Sequence, residues 1–436
     1  MSSGLRWLLA VVAIVLVAAV AVPFLVPVSS LIPELARIAS AKLGQPVAIE
    51  DLKLHLLPTP RVLASGIRIG KNDLVKVGEL EIVPDLMSFV SSTRTVRLIR
   101  AEKVEVKEAA LAIPKGMPKS EPGQPLHVKR VVLRQVRLYH SALKVPEFDA
   151  EAELAPSLVL DLARIETRDG TLKLTADPQS GGTVAISLSA NNWTLPAGVP
   201  LKFDALNAKG TLKGEQLDLP AIGGKLYGGT IGGNARADWG KQWQVAGKAI
   251  LEGVDVAAVQ KALGKPAKLT GRLKTQLAFS ARAKSPDQLA KALALDGPFE
   301  VVGGAYQGVD LTKVGITGGS TEGSTPFDEF KGQLQVRGQQ VRITELCVRS
   351  PKVVAGGNVD IAADEKLSGK LDISVAKTGG FVGIPVALAG TASDPSLRPT
   401  KGFVIGAVVG TVLLPGIGTS IGASLGSRAE GQSGCK

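Results

Sequence analysis

Between Phe327 and Pro395 apolar residues return at every second position, a rhythm that a strand can use and a helix cannot. Leu367, Gly369, Leu371, Ile373 and Val375 alternate with Ser368, Lys370, Asp372, Ser374 and Ala376. Successive strand side chains point to opposite faces, so this spacing predicts one apolar side and one wet side. The same period runs through Phe330, Leu334 and Val336, through Val353, Ala355, Val359 and Ile361, and through Ile384, Val386 and Leu388. Turn signals at Gly338-Gln339-Gln340, Ser350-Pro351, Asp364-Glu365-Lys366 and Thr378-Gly379-Gly380 separate the runs. A meander of four to six antiparallel strands is expected. Something must cover its apolar side. Candidates for lining that side are Leu334, Val336, Val359, Ile361, Leu371, Ile373, Val375, Val386 and Leu388.

With 436 residues the chain can hold two or more domains, or one extended repetitive architecture. Aromatic residues make up only 4%, which argues against an outer-membrane barrel with its two aromatic girdles. Of the formal net charge of +12, a surplus of eight falls between Arg94 and Lys144, where twelve Lys or Arg meet four Glu. Those cations are interleaved with strand-type alternation and accompany no nucleic-acid motif, so they read as a solvated strand face, with anionic headgroups as the next reading.

Site chemistry is sparse. Cys347 and Cys435 lie far apart in different kinds of segment, and two cysteines make neither a disulfide framework nor a zinc site. His55, His127 and His140 read as strand or surface residues. Gly422-Ala423-Ser424-Leu425-Gly426 fits the nucleophile-elbow string, but no strand precedes it and no His follows it, so the match is chance. The expectation is a protein that is not an enzyme and uses no metal or cofactor.

Leu5 to Val28 is apolar apart from Arg6: 24 residues, or about 36 Å as a helix, enough to cross a hydrocarbon core. Trp7, Leu8, Leu9, Val12, Ile14 and Leu16 belong to this anchor, and Arg6 places Met1 on the cytoplasmic side. A cleaved signal peptide ending near Ala19-Val20-Ala21 is the competing reading, and both deliver the rest of the chain outside the cytoplasm. Ser29 to Leu43 predicts a short helix with Pro33 in its first turn and Gly44 as its stop. Helices are also expected at Val254 to Leu263 and from Ser285-Pro286-Asp287 onward, the second with Leu289, Leu293 and Leu295 on its buried side.

An apolar amino-terminal helix, a short amphipathic helix, the stretch LGQPVAIEDLKLHLLPTPRVLASGIRIG (Leu43–Gly70) and the later VRLIRAEKVEV (Val96–Val106) occur in that order. Further on come Tyr227-Gly228-Gly229, Thr325-Pro326-Phe327-Asp328, Gly356-Gly357-Asn358-Val359-Asp360 and Asp394-Pro395. Over roughly residues 5 to 400 this pattern resembles the AsmA-like proteins of Gram-negative envelopes. The resemblance rests on structural punctuation, which specifies fold better than mechanism. It implies a mainly β chain with an N-terminal transmembrane helix, an elongated, curled antiparallel sheet forming an apolar groove, and a few short helices. About 20 strands at 4.8 Å would give a groove near 100 Å long.

The corresponding organisation is an anchor over 1–28, a first β region with its juxtamembrane helix over 29–113, a Pro- and Gly-rich loop over 114–125, a β-groove region over 126–400, and a tail over 401–436. The tail departs from the family pattern. Gly402 to Gly426 carries no charge for 25 residues, with Gly402, Gly406 and Gly410, then Gly418, Gly422 and Gly426, at every fourth position. Small residues at that spacing let helices pack closely in lipid, so an apolar hairpin is expected, against a Gly-rich tail packed on the protein.

AsmA-like proteins are thought to resemble bridge-like lipid-transfer proteins. The resemblance therefore implies an inner-membrane-anchored, single-pass protein whose bulk is periplasmic. It would shield phospholipid acyl chains and support phospholipid transport toward, or homeostasis of, the outer membrane. Phospholipids, the inner or outer membrane and other envelope proteins are the expected partners, and nucleic acid is not. The alternative is a structural or assembly factor for outer-membrane proteins, with no lipid conduit.

Overall fold

A computed structural model describes residues 28–90, 94–111, 126–141, 144–155, 160–196, 200–317, 322–377, 380–391, 394–401, 404 and 435. The anchor residues Trp7, Leu8, Leu9, Val12, Ile14 and Leu16 and the hairpin glycines Gly402, Gly406, Gly410, Gly418, Gly422 and Gly426 lie outside them. No helix among the described residues is long and apolar enough to cross a membrane. The described residues are mainly β, with a few short helices, and the chain divides between Ala190 and Asn191 into two compact units.

The first unit opens with a 3-10 turn (Val28–Leu31) leading into helix α1 (Ile32–Leu43). As the sequence predicts, Pro33 sits in the first turn, where its missing N–H costs nothing, and Gly44 ends the helix at φ +63°. Strands β1 (Val47–Ala48) and β2 (Asp51–His55) both pair with β3 (Arg61–Ile69), which continues antiparallel through β4 (Val75–Pro84) to β5 (Arg94–Lys107). Ile32, at the start of helix α1, packs against Leu52, Ala64 and Ile67.

The next pairing departs from the expected antiparallel sheet. After β5 the chain passes through the single turn α2 (Glu108–Leu111) and residues 112–125, and returns as β6 (Leu126–Val128) and β7 (Arg130–Tyr139), both parallel to β5. A parallel neighbour must start from the end where β5 started, which demands a crossover instead of a hairpin. The stretch 114–125 is therefore the connection between paired strands of one unit and not a domain boundary. Antiparallel order resumes with β8 (Phe148–Leu154), β9 (Leu160–Thr167), β10 (Leu172–Gln179) and β11 (Thr183–Thr194).

The second unit is antiparallel in every pairing of its described strands. β12 (Lys202–Lys213), β13 (Gln216–Leu226), β14 (Gly229–Asp238), β15 (Trp243–Asp255), β16 (Arg272–Ala283) and β17 (Ala294–Gln307) pair in sequence order. β18 (Ser324–Arg337), β19 (Gln340–Arg349), β20 (Val353–Ile361), β21 (Leu367–Lys377), β22 (Gly380–Gly390) and β23 (Pro395–Pro399) continue the meander.

Helix α3 (Val256–Ala262) follows β15 as expected and is capped by Asp255, whose carboxylate accepts from the Ala258 N–H at 3.0 Å. The helix expected after Ser285 is absent. Two 3-10 turns (Pro286–Gln288 and Ala290–Ala292) stand there, and Ser285 caps neither. Residues 284–293 bridge β16 and β17, Leu293 is already extended at ψ 129°, and Leu295, expected on the helix, lies in β17. Helix α4 (Leu311–Thr317), which the periodicity did not announce, lies between β17 and β18.

The Gly-rich segment around Tyr227 divides into two functions. Tyr227 and Gly228 have φ of 45° and 75°, forming the two-residue hairpin between β13 and β14. Gly224 stands inside β13 because a Cβ there would run into the Ala205 carbonyl oxygen.

Candidate functional site

Cross-strand register shows how the second unit distributes its apolar residues. One row runs Leu219, Ala235, Gly247, Phe279, Leu295, Val336, Val341, Ile361 and Leu367 across nine consecutive strands, each paired with the next. A second runs Gly297, Leu334, Ile343, Val359, Gly369, Leu388 and Leu397. A third runs Val254, Leu273, Val301, Phe330, Val348, Ala355, Ile373 and Ile384. All three lie on one face. Bulges, as at Leu251/Val254 and Ile343/Leu346, shift the register without moving the apolar set to the other side. The opposite face carries exposed Arg272, Lys274, Gln276, Asn358 and Lys370, with ion pairs such as Arg342–Asp360 and Arg337–Asp296.

Burial divides this face along the strands. At one end α4 lies over it with Val256 of α3 packed alongside, and Val301, Val309, Val314, Phe327, Leu346, Val348, Val353, Ala355, Leu371, Ile373, Val375, Val386 and Leu397 form a single core. Ile373, Val386 and Val314 are 0% exposed. Thr325, itself buried, pins the start of α4: its hydroxyl donates to the Val309 carbonyl at 2.7 Å and accepts from the Leu311 N–H at 2.9 Å. Asp310 accepts from the N–H groups of Thr312 and Lys313 at 3.0 and 3.1 Å, which satisfies donors that a helix start leaves open. Burial in this core also pushes the Tyr306 hydroxyl up from its ordinary pKa.

The nine candidate lining residues therefore divide. Leu371, Ile373, Val375 and Val386 belong to the sealed core and face protein, which corrects the expectation that they line a ligand surface. Alternation placed them on the right face, but it cannot see a helix returning from 60 residues upstream. Leu334, Val336, Val359, Ile361 and Leu388 are half-buried, with Val359 and Leu388 at the margin of the core. The first row is half-buried along its whole length, and the 3-10 turn Ala290–Ala292 touches β16 at this end of the strands. Its contributors from β13 to β17 were missed in the sequence. Gly247, Ala235 and Ala249 dilute the apolar signal there, so only Leu219, Phe279 and Leu295 could have marked the face.

The cysteines add a cross-link that the sequence analysis did not address. Cys347 in β19 is disulfide-bonded to Cys435, 88 residues later. Spacing could not reveal it, because β19 and the tail approach only in the folded chain. A cavity of about 830 Å³ lies beside this bond, lined on the polar face by Glu252, Lys274, Glu300, Lys331 and Cys435. With Glu345 also in its lining, three carboxylates face two lysines there. Among the described residues no group of three His, Cys, Asp or Glu side chains could hold a metal ion.

Comparison with family models, with curated proteins and with solved structures returns no match to this chain.

Proposed function

We propose that the half-buried apolar rows of the second unit shield phospholipid acyl chains, as the wall of a groove, in a protein anchored in the inner membrane with its bulk in the periplasm. The reading rests on one observation: a row from Leu219 to Leu367 that stays apolar over nine strands and stays half-open. Eight inter-strand spacings of about 4.8 Å make the row about 38 Å long, more than twice the ~15 Å that one leaflet contributes to the hydrocarbon core. A half-exposed apolar surface of that extent is costly in water, and an acyl chain satisfies it without needing any polar partner. The Cys347–Cys435 bond supports the compartment, since such bonds persist where the medium is oxidising. The resemblance to AsmA-like proteins supports phospholipid transport toward the outer membrane, or its homeostasis, as the biological setting.

The test is site-specific photocrosslinking of the full chain in cells. A photoreactive residue at Leu334, Val336 or Ile361 should capture phospholipid, identified by mass spectrometry, while the same residue at Lys370 on the polar face should not. Capture of protein alone at all three positions would defeat the reading. It would favour an assembly factor for outer-membrane proteins, the reading that the sealed core beneath α4 supports at its own end of the sheet.

A further inference from the structure

Seven of the thirteen large apolar side chains that stand exposed among the described residues lie between Leu31 and Met87, a small part of the chain. Strand register brings three of them to one edge of the first unit. His55 pairs with Arg61, so the β2–β3 turn, which carries Leu57, closes at the Arg61 end of β3. Val62 pairs with Ile82, and Pro84 with Val96, so the β4–β5 connection, which carries Leu86 and Met87, closes at the same end. Leu57 is 46% exposed, Leu86 52% and Met87 77%.

The beginning of α1 lies toward this edge. The turn Val28–Leu31 touches β2, which pairs with the Arg61–Ser65 half of β3, whereas the far end of α1 leads into β1, paired with Arg68 and Ile69 at the other half. Leu31 and Leu35, one helical turn apart, are exposed as well. The 24-residue apolar run of the sequence ends at Val28. No linker separates it from the 3-10 turn, so if that run is in a bilayer the strand ends beside it lie at the bilayer surface.

We propose that this strand-end rim (Leu57, Leu86 and Met87, continued by Leu31 and Leu35) is seated in the headgroup–acyl boundary of a phospholipid bilayer and orients the first unit on the membrane. Leucine and methionine side chains on turns suit that boundary, because apolar tips can enter by several ångströms while the strand ends keep their backbone groups in the wet layer. The proposal rests on the membrane-anchor part of the functional reading and not on lipid along the sheet face.

The test places a single added cysteine at Leu57→Cys, Leu86→Cys or Met87→Cys in the full chain with the native disulfide intact, and labels it with an environment-sensitive fluorophore. Tyr139→Cys is the control: it is 50% exposed and paired with Lys107, at the opposite end of the strands and about 40 Å from the rim. The protein is reconstituted in phosphatidylethanolamine–phosphatidylglycerol vesicles containing spin-labelled lipid.

Rim labels should shift to the blue and lose emission, and the Tyr139 label should do neither. Unquenched, water-like emission at all three rim positions would overturn the proposal, as would failure of the full chain to float with the vesicles. A label at Leu334→Cys separates the two readings. Quenching there without quenching at the rim ends this proposal and leaves lipid shielding standing, and the reverse pattern does the opposite. Circular dichroism of each variant confirms folding, which these exposed positions should not disturb.

Discussion

Gly315 in α4 lies directly over Val375 in β21: a methyl group on Gly315 would collide with the Val375 Cγ2 atom and sit 3.1 Å from Ile373 Cγ2. The absence of a side chain at this one position lets the helix close onto the sheet. Gly315→Ala should therefore destabilise the second unit by about 1–3 kcal/mol through overpacking, seen as a lower urea midpoint. Gly223→Ala, where a Cβ would meet nothing within 4 Å, is the control and should change stability by less than about 0.5 kcal/mol. Equal effects at the two sites would mean that α4 does not seat on β21 in this way.

Ile373 and Ile361 share one face and should respond in opposite fashion to a charge. Ile373→Glu puts a carboxylate into a core with no partner and should cost more than about 3 kcal/mol, enough to lose the folded second unit. Ile361→Glu, at a half-buried position, should leave the fold in place and abolish phospholipid capture from a photoreactive residue at Val336. Lipid capture unaffected by Ile361→Glu would remove that row from the binding surface.

Reduction of Cys347–Cys435 frees the tail from β19. A bond that closes a loop of this length restricts the unfolded chain by about 4–5 kcal/mol in the chain-entropy account. Cys435→Ser should therefore lower the unfolding midpoint, reductant should lower the wild-type midpoint to match, and reductant should have no further effect on the variant. Substitution at Cys435 is preferred because Cys347 is 3% exposed, where a serine hydroxyl would add its own cost.

Acid should weaken the first unit through Glu151. Its hydrogen bond and ion pair with Arg130, 2.6 Å away, hold its carboxyl below the usual carboxylate range, and Arg164 at 3.8 Å adds to this. A lowered folded pKa means stability that is fully present above the ordinary glutamate range and lost as pH falls through the folded value. Glu151→Gln should flatten the decline in stability below about pH 4.5, measured by urea unfolding at successive pH values, while leaving neutral-pH stability slightly reduced. An unchanged acid limb would mean that Glu151 is ionised no more readily in the folded chain than in the unfolded one.

The strands, their turns and their apolar side were legible at the level of single residues. Alternation is a local property, and Leu371, Ile373 and Val375 had to share a face whatever lay above them. Gly338, Ser350-Pro351 and Asp364-Glu365-Lys366 mark the hairpins for the same reason, since turn chemistry is decided within four residues. Contacts between distant segments decided the rest. That β5 meets β7 in parallel, that α4 folds back over β21, and that Cys435 reaches Cys347 each bring together segments whose association depends on the burial the whole unit gains. Alternation therefore drew an oily face, and only the packed chain determined which of its ends is filled by protein and which stays half-open.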